Sequence, residues 1–257
     1  MVTFVSADWV SDHVGRPGFL IIDPRSAMRY LMGHLKGAVS VPFKKLQNAQ
    51  GRLKSPHELA AAFGAVGLGD GVVPVIYDGQ DGRNAAMAAW ILEYLGRDDI
   101  HIMDLLYDSW KSEGREVLYR PVPTAAKPFT PSVNSRVRAS INDVVSLSAG
   151  KLLDTRSLEE FRGEVETDDR PGHIPGATHL PWSELAGEDG RLLVGDDQLR
   201  QALASVEIQP EDSVVAYCRS GVRAALAYLA MKQAGYNVRL FDGSYGEWMD
   251  SGKPVEI

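Results

Sequence analysis

Ser213-Val214-Val215-Ala216-Tyr217-Cys218-Arg219-Ser220-Gly221-Val222-Arg223-Ala224-Ala225-Leu226-Ala227-Tyr228-Leu229-Ala230 changes character twice within one short stretch. Ser213–Tyr217 reads as a buried strand and Ala224–Ala230 as a helix, with a glycine-containing turn between them. Cys218, the single cysteine of 257 residues, opens that turn. A thiol there faces several unpaired backbone N–H groups and the positive end of a helix dipole. Both favour thiolate over thiol, and thiolate is the reactive form. With Arg219 and Arg223 in the same turn, the stretch suits a sulfur nucleophile and an anionic substrate.

Working outward, the order of features in one half of the chain recurs in the other. Leu20-Ile21-Ile22-Asp23-Pro24-Arg25 matches Lys151-Leu152-Leu153-Asp154-Thr155-Arg156, and Gly33-His34-Leu35-Lys36-Gly37-Ala38 matches Gly172-His173-Ile174-Pro175-Gly176-Ala177. Gly51-Arg52-Leu53 matches Gly190-Arg191-Leu192, and Val75-Ile76-Tyr77-Asp78 matches Val215-Ala216-Tyr217-Cys218. The offset is 131 between Asp23 and Asp154, then 139 and 140, so an eight-residue insertion near Glu164–Asp169 is expected in the second half. Ordered matches at so steady an offset imply two copies of one fold, with a period too long for a solenoid. Between them, residues 119–136 hold Pro121, Pro123, Pro128 and Pro131 and no acidic residue, the composition of an extended linker.

Each copy alternates short apolar strands with amphipathic helices, the pattern of an α/β fold with a mainly parallel sheet and helices on both faces. Ser55-Pro56-His57-Glu58 is a capping box with proline at the first helical position, and Leu59–Val66 carries the apolar face of that helix. Asn84–Leu95 is the first-half counterpart of the helix after Cys218. The domains are therefore expected at 1–118 and 137–257, joined by 119–136. At the position of Cys218 the first copy has Asp78, in the turn Asp78-Gly79-Gln80-Asp81-Gly82-Arg83. A carboxylate cannot carry sulfane sulfur, so domain 1–118 is expected to be catalytically silent and to wall off a cleft.

Bulk properties narrow the function. Lys and Arg number 27 against 34 Asp and Glu, a net charge of −7 that argues against a nucleic-acid surface. No run approaches the ~18 apolar residues of a membrane span, and the start has neither the basic nor the apolar segment of a signal peptide. One cysteine excludes an intramolecular disulfide and suits a reducing compartment. The six histidines show no close pairing, so no metal site is suggested. A cytoplasmic chain without metal or cofactor is the expectation.

With Asp154-Thr155-Arg156, Gly172–Ala177, Tyr217–Arg223 and Asp242-Gly243-Ser244-Tyr245-Gly246-Glu247-Trp248 in that order, the chain resembles the two-domain rhodanese-like sulfurtransferases over nearly its whole length. The resemblance implies a persulfide mechanism, an inactive N-terminal copy and an active site between the domains. Cys218 is the expected nucleophile. Backbone N–H groups from Arg219 through Ser220, Gly221 and Val222 to Arg223 would form a nest for the outer sulfur. Related cysteine phosphatases space their cysteine and arginine by five residues, whereas four separate Cys218 from Arg223. The shorter loop suits one sulfur atom better than a tetrahedral phosphate.

The expected partners are a small anionic sulfur donor and a thiol, cyanide or protein-cysteine acceptor. Residues 137–257 hold 12 basic and 20 acidic side chains, so Arg219 and Arg223 are a local exception that a dianion would value. A basic residue directly after the cysteine resembles thiosulfate-using members. Ser220, and His34 in its glycine-flanked motif, resemble the 3-mercaptopyruvate enzymes. Thiosulfate is the favoured donor and 3-mercaptopyruvate the alternative; a persulfide carrier or redox sensor without turnover of small donors is the competitor from another class.

Thiosulfate-using members tend to place an arginine near Glu160; Arg162 is the nearest substitute, although two residues along a helix turn it elsewhere. Asp154 and Arg156 are expected to pair and brace the strand end beside the loop. Arg223 has a second reading as a structural cap bridged to a carboxylate such as Glu247. His34 and His173 lie in turns leading into strands, with a further reading of His34 as a partner to Ser220. Tyr245 is expected at the site entrance, Trp182 and Trp248 in packing, and Tyr30 and Trp110 in the first core.

Overall fold

A computed structural model describes residues 2–148, 150–165 and 170–257. They divide into two compact units, Met1–Asn134 with Gly187–Leu192, and Ser135–Ala186 with Leu193–Ile257. Of the proposed insertion, Glu166–Asp169 lie outside the described residues.

Unit 1 runs β1 (Thr3–Val5), α1 (Ala7–His13), β2 (Phe19–Asp23), α2 (Ala27–Leu31), β3 (His34–Leu35), β4 (Val39–Ser40), α3 (Pro56–Ala65), β5 (Val73–Ile76), α4 (Arg83–Tyr94), β6 (His101–Met103), α5 (Tyr107–Ser112) and β7 (Val117–Leu118). Its sheet has the order β1-β6-β5-β2-β4 with every pair parallel, and β3 and β7 form a separate antiparallel ribbon. Successive residues of β2 face opposite sides, so Ile21 joins Val75, Val10 and Trp110 in one core layer while Ile22 turns to the other. Parallel strands covered on both faces are apolar throughout, which is why β2 and β5 show no polar alternation. The capping box at Ser55 and Glu58 starts α3 as expected.

Unit 2 runs α6 (Ile141–Val145), β8 (Lys151–Asp154), α7 (Leu158–Phe161), β9 (Ala177–His179), α8 (Asp196–Ser205), β10 (Ser213–Tyr217), α9 (Val222–Gln233), β11 (Asn237–Leu240) and α10 (Ser244–Asp250). Its sheet, β11-β10-β8-β9, is again parallel throughout. Leu152, Val215 and Tyr217 pack with Val144 of α6 and Tyr245 and Trp248 of α10 on one face. Helix α9 is buried along Ala224–Met231 and α4 along Ala85–Leu92, which explains alanine-rich helices with weak sidedness.

The proline-rich stretch runs over unit 1 without helix or strand as far as residue 134, and a 3-10 turn at Ser135–Val137 opens unit 2. Backbone N–H groups of Lys127, Ser132 and Asn134 donate to the carbonyls of Gly64, Leu95 and Tyr94 at 2.8 to 2.9 Å. Those carbonyls end α3 and α4, where helices have no intrahelical donors left, so the strap completes both helix ends.

Candidate active site

Strand β10 ends at Tyr217, and Cys218 begins the turn that enters α9. Gly221 is the N-cap of α9 with φ +89°, and its N–H donates to Cys218 Sγ at 3.2 Å. A Cβ on Gly221 would lie 2.9 Å from the Asp242 carbonyl oxygen, so the turn needs glycine for conformation and for space. Cys218 is 1% exposed. The start of α10 holds its backbone from the other side. The Cys218 N–H donates to Ser244 Oγ at 3.2 Å, Tyr245 N–H donates to the Cys218 carbonyl at 2.9 Å, and Gly246 N–H donates to the Arg219 carbonyl at 3.0 Å. Ser244 adopts φ +55°, a left-handed conformation that costs about 1–3 kcal/mol in a non-glycine residue and is kept here by the surrounding contacts.

Arg223, the second residue of α9, is bidentate to Glu160 at 2.5 and 2.8 Å, with both side chains about one-fifth exposed. Burial works to lower the proton affinity of Arg223; the Glu160 carboxylate, and Cys218 after it, outweigh burial and raise the pKa. Burial likewise works to raise Glu160, but Arg223, the Ser157 N–H and Arg156 hold its pKa below the ordinary carboxylate range. The guanidinium is thus held by the carboxylate and influenced by Cys218 as well. Arg223 is bridged to a carboxylate, as its second reading has it, with Glu160 in place of the suggested Glu247. The Glu247 carboxylate instead folds over Gly243 in the first turn of α10, while Glu160 reaches the loop from α7.

The other expected site residues fall in several places. Arg219 is half-buried and Ser220 exposed in the turn, and Val222 is half-buried as the first residue of α9. Arg162 sits exposed at the C-cap of α7, where its charge acts on Glu159. Tyr245 is not at an entrance. It is fully buried, its hydroxyl donates to the Arg170 carbonyl at 2.8 Å, and its ring lies 4.0 Å under the Arg156 guanidinium. Trp248 is buried and donates to the Pro254 carbonyl, and Trp182 is half-buried.

The chain contains its own control, because unit 1 repeats the surroundings of this site without the cysteine. Arg156 pairs with Asp154 through two nitrogens, the closest contact 2.6 Å, and donates to the Gly172 carbonyl at 2.8 Å. Arg25 pairs with Asp23 at 2.6 Å and donates to the Gly33 carbonyl at 2.7 Å. Tyr217 and Tyr77 each share the aspartate of their copy, and burial followed by that aspartate's charge pushes both phenols well above their ordinary pKa. His34 donates through Nδ1 to the Tyr30 carbonyl and stacks on Tyr30; His173 does the same with the carbonyl and ring of Phe161. Asp154 and Arg156 thus have a counterpart pair in Asp23 and Arg25, while the two histidines differ at Nε2, which is buried without a partner in His34 and lies 3.9 Å from Glu256 in His173.

The copies part company at the turn. Asp78 accepts from the N–H groups of Gly79 at 2.6 Å, Asn84 at 2.6 Å and Ala85 at 3.0 Å. Its carboxylate fills the nest from within, and burial raises its pKa despite those bonds. Gly82 is the N-cap of α4 as Gly221 is of α9, so the first-copy turn holds one residue more between the key position and the cap. At the third position of the short helix after the Asp-x-Arg motif, unit 1 has Arg29, which donates to Gln80 of its turn, where unit 2 has Glu160.

Two residues of the site have partners that the sequence did not reveal. Ser244 lies within Asp242–Trp248, and the hydrogen bond from the Cys218 amide to its hydroxyl is visible only in the fold. Glu160 was visible as the end of a Ser157-x-x-Glu160 capping box, a pattern that accounts for a glutamate without any partner beyond the helix.

Fold and turn together define a tandem α/β protein with one cysteine-bearing nest. The rhodanese-like domain model matches residues 6–113 and again 137–251, and the chain belongs to that family. A putative thiosulfate sulfurtransferase of Mycolicibacterium smegmatis is 28% identical, covering 98% of this chain and 97% of the relative. The putative thiosulfate sulfurtransferase SseA of Mycobacterium tuberculosis is 32% identical, covering 95% and 86%. The crystal structure of SseA from Escherichia coli, described as a 3-mercaptopyruvate sulfotransferase, superposes with a TM-score of 0.86 at 28% identity, covering 95% of this chain and 99% of that one. The anaerobic ergothioneine biosynthesis enzyme of Chlorobium limicola shares the fold, with a TM-score of 0.88 at 22% identity over 98% of this chain and 69% of its own. Among the described residues no cluster of three or more His, Cys, Asp or Glu is placed to hold a metal, and no helix is long and apolar enough to cross a membrane.

Proposed function

We propose that this chain, a sulfurtransferase by its family, moves sulfane sulfur from thiosulfate to a thiol, cyanide or protein cysteine through a persulfide on Cys218. The observation that carries the proposal is the contrast between the two nests: one is filled by the chain's own carboxylate, and the other presents a sulfur atom that accepts from Gly221 N–H, with Arg223 two residues further along. In the first half-reaction the Cys218 thiolate attacks the outer sulfur of thiosulfate. The S–S bond of the donor breaks, its electron pair leaves with sulfite, and Cys218 becomes a persulfide anion. In the second, the acceptor attacks the outer persulfide sulfur and the electron pair returns to Cys218. Charge is conserved in both steps, and ping-pong kinetics follow. Arg219 and Arg223 attract the donor, while the N–H groups of the turn, fixed by Gly221 and the α10 clamp, stabilise the outer sulfur without moving.

One observation favours 3-mercaptopyruvate as the alternative donor: Glu160 compensates the charge of Arg223, which lowers the advantage of a dianion. The two are separated by turnover at equal donor concentration with cyanide as acceptor, where a tenfold preference for mercaptopyruvate overturns thiosulfate. Mass spectrometry after donor treatment tests the intermediate. A gain of about 32 Da on Cys218 is expected, since oxidised adducts carry other masses. Absence of that gain with either donor leaves the carrier or redox-sensor role.

A further inference from the structure

We infer that Glu160 is a positioning residue that sets the donor preference of the Cys218 nest by compensating the charge of Arg223. The inference rests on the sulfur-transfer reading and adds a determinant to it. Three observations support it. The ion pair is bidentate and mostly shielded from water, the geometry in which a carboxylate both orients and neutralises a guanidinium. Arg223 lies two residues beyond Gly221, whose N–H donates to the Cys218 sulfur at 3.2 Å, so its charge is placed at the start of the same helix that the sulfur caps, and Cys218 acts on it electrostatically. The position itself is loop-directed in both copies: Arg29 reaches Gln80 of its turn just as Glu160 reaches Arg223 of the other. A side chain at the third position of this short helix therefore writes charge onto the neighbouring nest, and the two copies write opposite signs.

Glu160 also closes a capping box with Ser157, so a purely local role has to be separated. Aspartate at that position of a capping box serves α6, where Asp143 pairs with Ser140. Glu160→Asp thus keeps the cap and the charge, whereas Glu160→Gln keeps the shape and removes the charge. Arg223 and Arg156 are the cations acting on Glu160, and Cys218 is the further anionic group acting on Arg223.

The test compares the full-length wild type, E160Q and E160D for kcat/KM with thiosulfate and with 3-mercaptopyruvate, and for the pH profile of Cys218 alkylation by iodoacetamide. Removing one negative charge helps a dianion more than a monoanion. E160Q is expected to raise the thiosulfate to mercaptopyruvate ratio about three- to tenfold, the effect of one unit charge a few ångströms away in a partly solvated site. Its alkylation midpoint is expected to move to lower pH, while E160D stays near wild type on both measures. An unchanged ratio in E160Q with the wild type active overturns the inference, as does an equal loss with both donors. If the wild type turns over neither donor, the sulfur-transfer reading fails, and an alkylation midpoint that does not move in E160Q then overturns the role of Glu160 on its own.

Discussion

Replacing Gly221 by alanine tests the nest at its tightest point. At φ +89° a Cβ costs about 1–2 kcal/mol from its own carbonyl contacts. That Cβ would also stand 2.9 Å from the Asp242 carbonyl oxygen and 3.3 Å from Asp242 Cα, both backbone atoms that cannot rotate away. The turn or the Asp242 segment must shift by a few tenths of an ångström, bringing the destabilisation to about 2–4 kcal/mol. Asp242 leads directly into the α10 start that clamps Cys218, so the displacement passes to the nucleophile from two sides. Loss of one aligned N–H donor to the reacting sulfur is worth about a hundredfold in rate. G221A is therefore expected to lower the rate of the thiosulfate half-reaction about a hundredfold, measured by rapid quench and mass of the persulfide. Gly82→Ala is the control. Gly82 has the same N-cap role at φ +73°, but its Cβ would meet the Leu192 side chain, which can move. G82A is expected to lose about 1–2 kcal/mol of stability and keep the wild-type rate. A G221A protein that forms persulfide within twofold of wild type refutes the nest argument. A G82A protein as slow as G221A shows that general loosening is the cause.

Asp78→Ala strands three backbone N–H groups in a buried nest; it is expected to cost about 2–3 kcal/mol in urea unfolding with turnover unchanged. Asp23→Asn and Asp154→Asn each leave a buried arginine without its carboxylate and are expected to destabilise by similar amounts, about 3–5 kcal/mol by thermal unfolding, because the two networks are alike. The pH dependence of stability has opposite signs at two carboxylates. Glu160, held below the ordinary value of 4.5, contributes stability that is complete above that pH and is lost as pH falls through its depressed folded value. Asp143, lowered to about 2 by Ser140 and Arg239, behaves likewise further down, though its exposure makes the effect small. Asp78, raised by burial above 3.8, contributes stability below that value that is lost as pH rises through the folded value. Unfolding midpoints between pH 3 and 6 are expected to lose part of their rise with pH in E160Q and to rise more steeply in Asp78→Asn; the reverse pattern refutes the assignment.

The tandem α/β fold was legible because its evidence is local and repeated: apolar strands, capping residues and a nearly constant offset each survive translation into one dimension. Cys218 was legible for the same reason, since strand, turn and helix adjoin it in sequence. Glu160 was not. Its partner lies 63 residues away, and bringing α7 beside the start of α9 requires the β8–β10 pairing, which no local pattern states. The bridge from Arg223 to a carboxylate was legible but its acid was not, because the sheet order delivers Glu160 where the local sequence offers Glu247. Tyr245 failed differently. A tyrosine near a reactive loop suggested an entrance, but the Arg156 guanidinium needs an aromatic face, and in both copies a tyrosine from the helix after the last core strand provides it.

The two nests also show what function costs this fold. In unit 1 the carboxylate takes three backbone N–H groups at a helix start, the arrangement a stable protein favours when nothing else must bind there. In unit 2 a larger, weaker acceptor takes the Gly221 N–H at 3.2 Å, and a strained Ser244 holds its amide from behind. Sulfur is a poorer acceptor than a carboxylate oxygen, so the bond from Gly221 holds the second nest less tightly than those to Asp78 hold the first. Exchanging Cys218 for Asp follows from this as a combined test. C218D is expected to abolish turnover and, because the turn is one residue shorter than its counterpart, to gain less stability than the Asp78 arrangement provides. A C218D protein markedly more stable than wild type in urea unfolding would mean the shorter turn can close on a carboxylate as well as the longer one does, and that its length does not exclude an oxyanion.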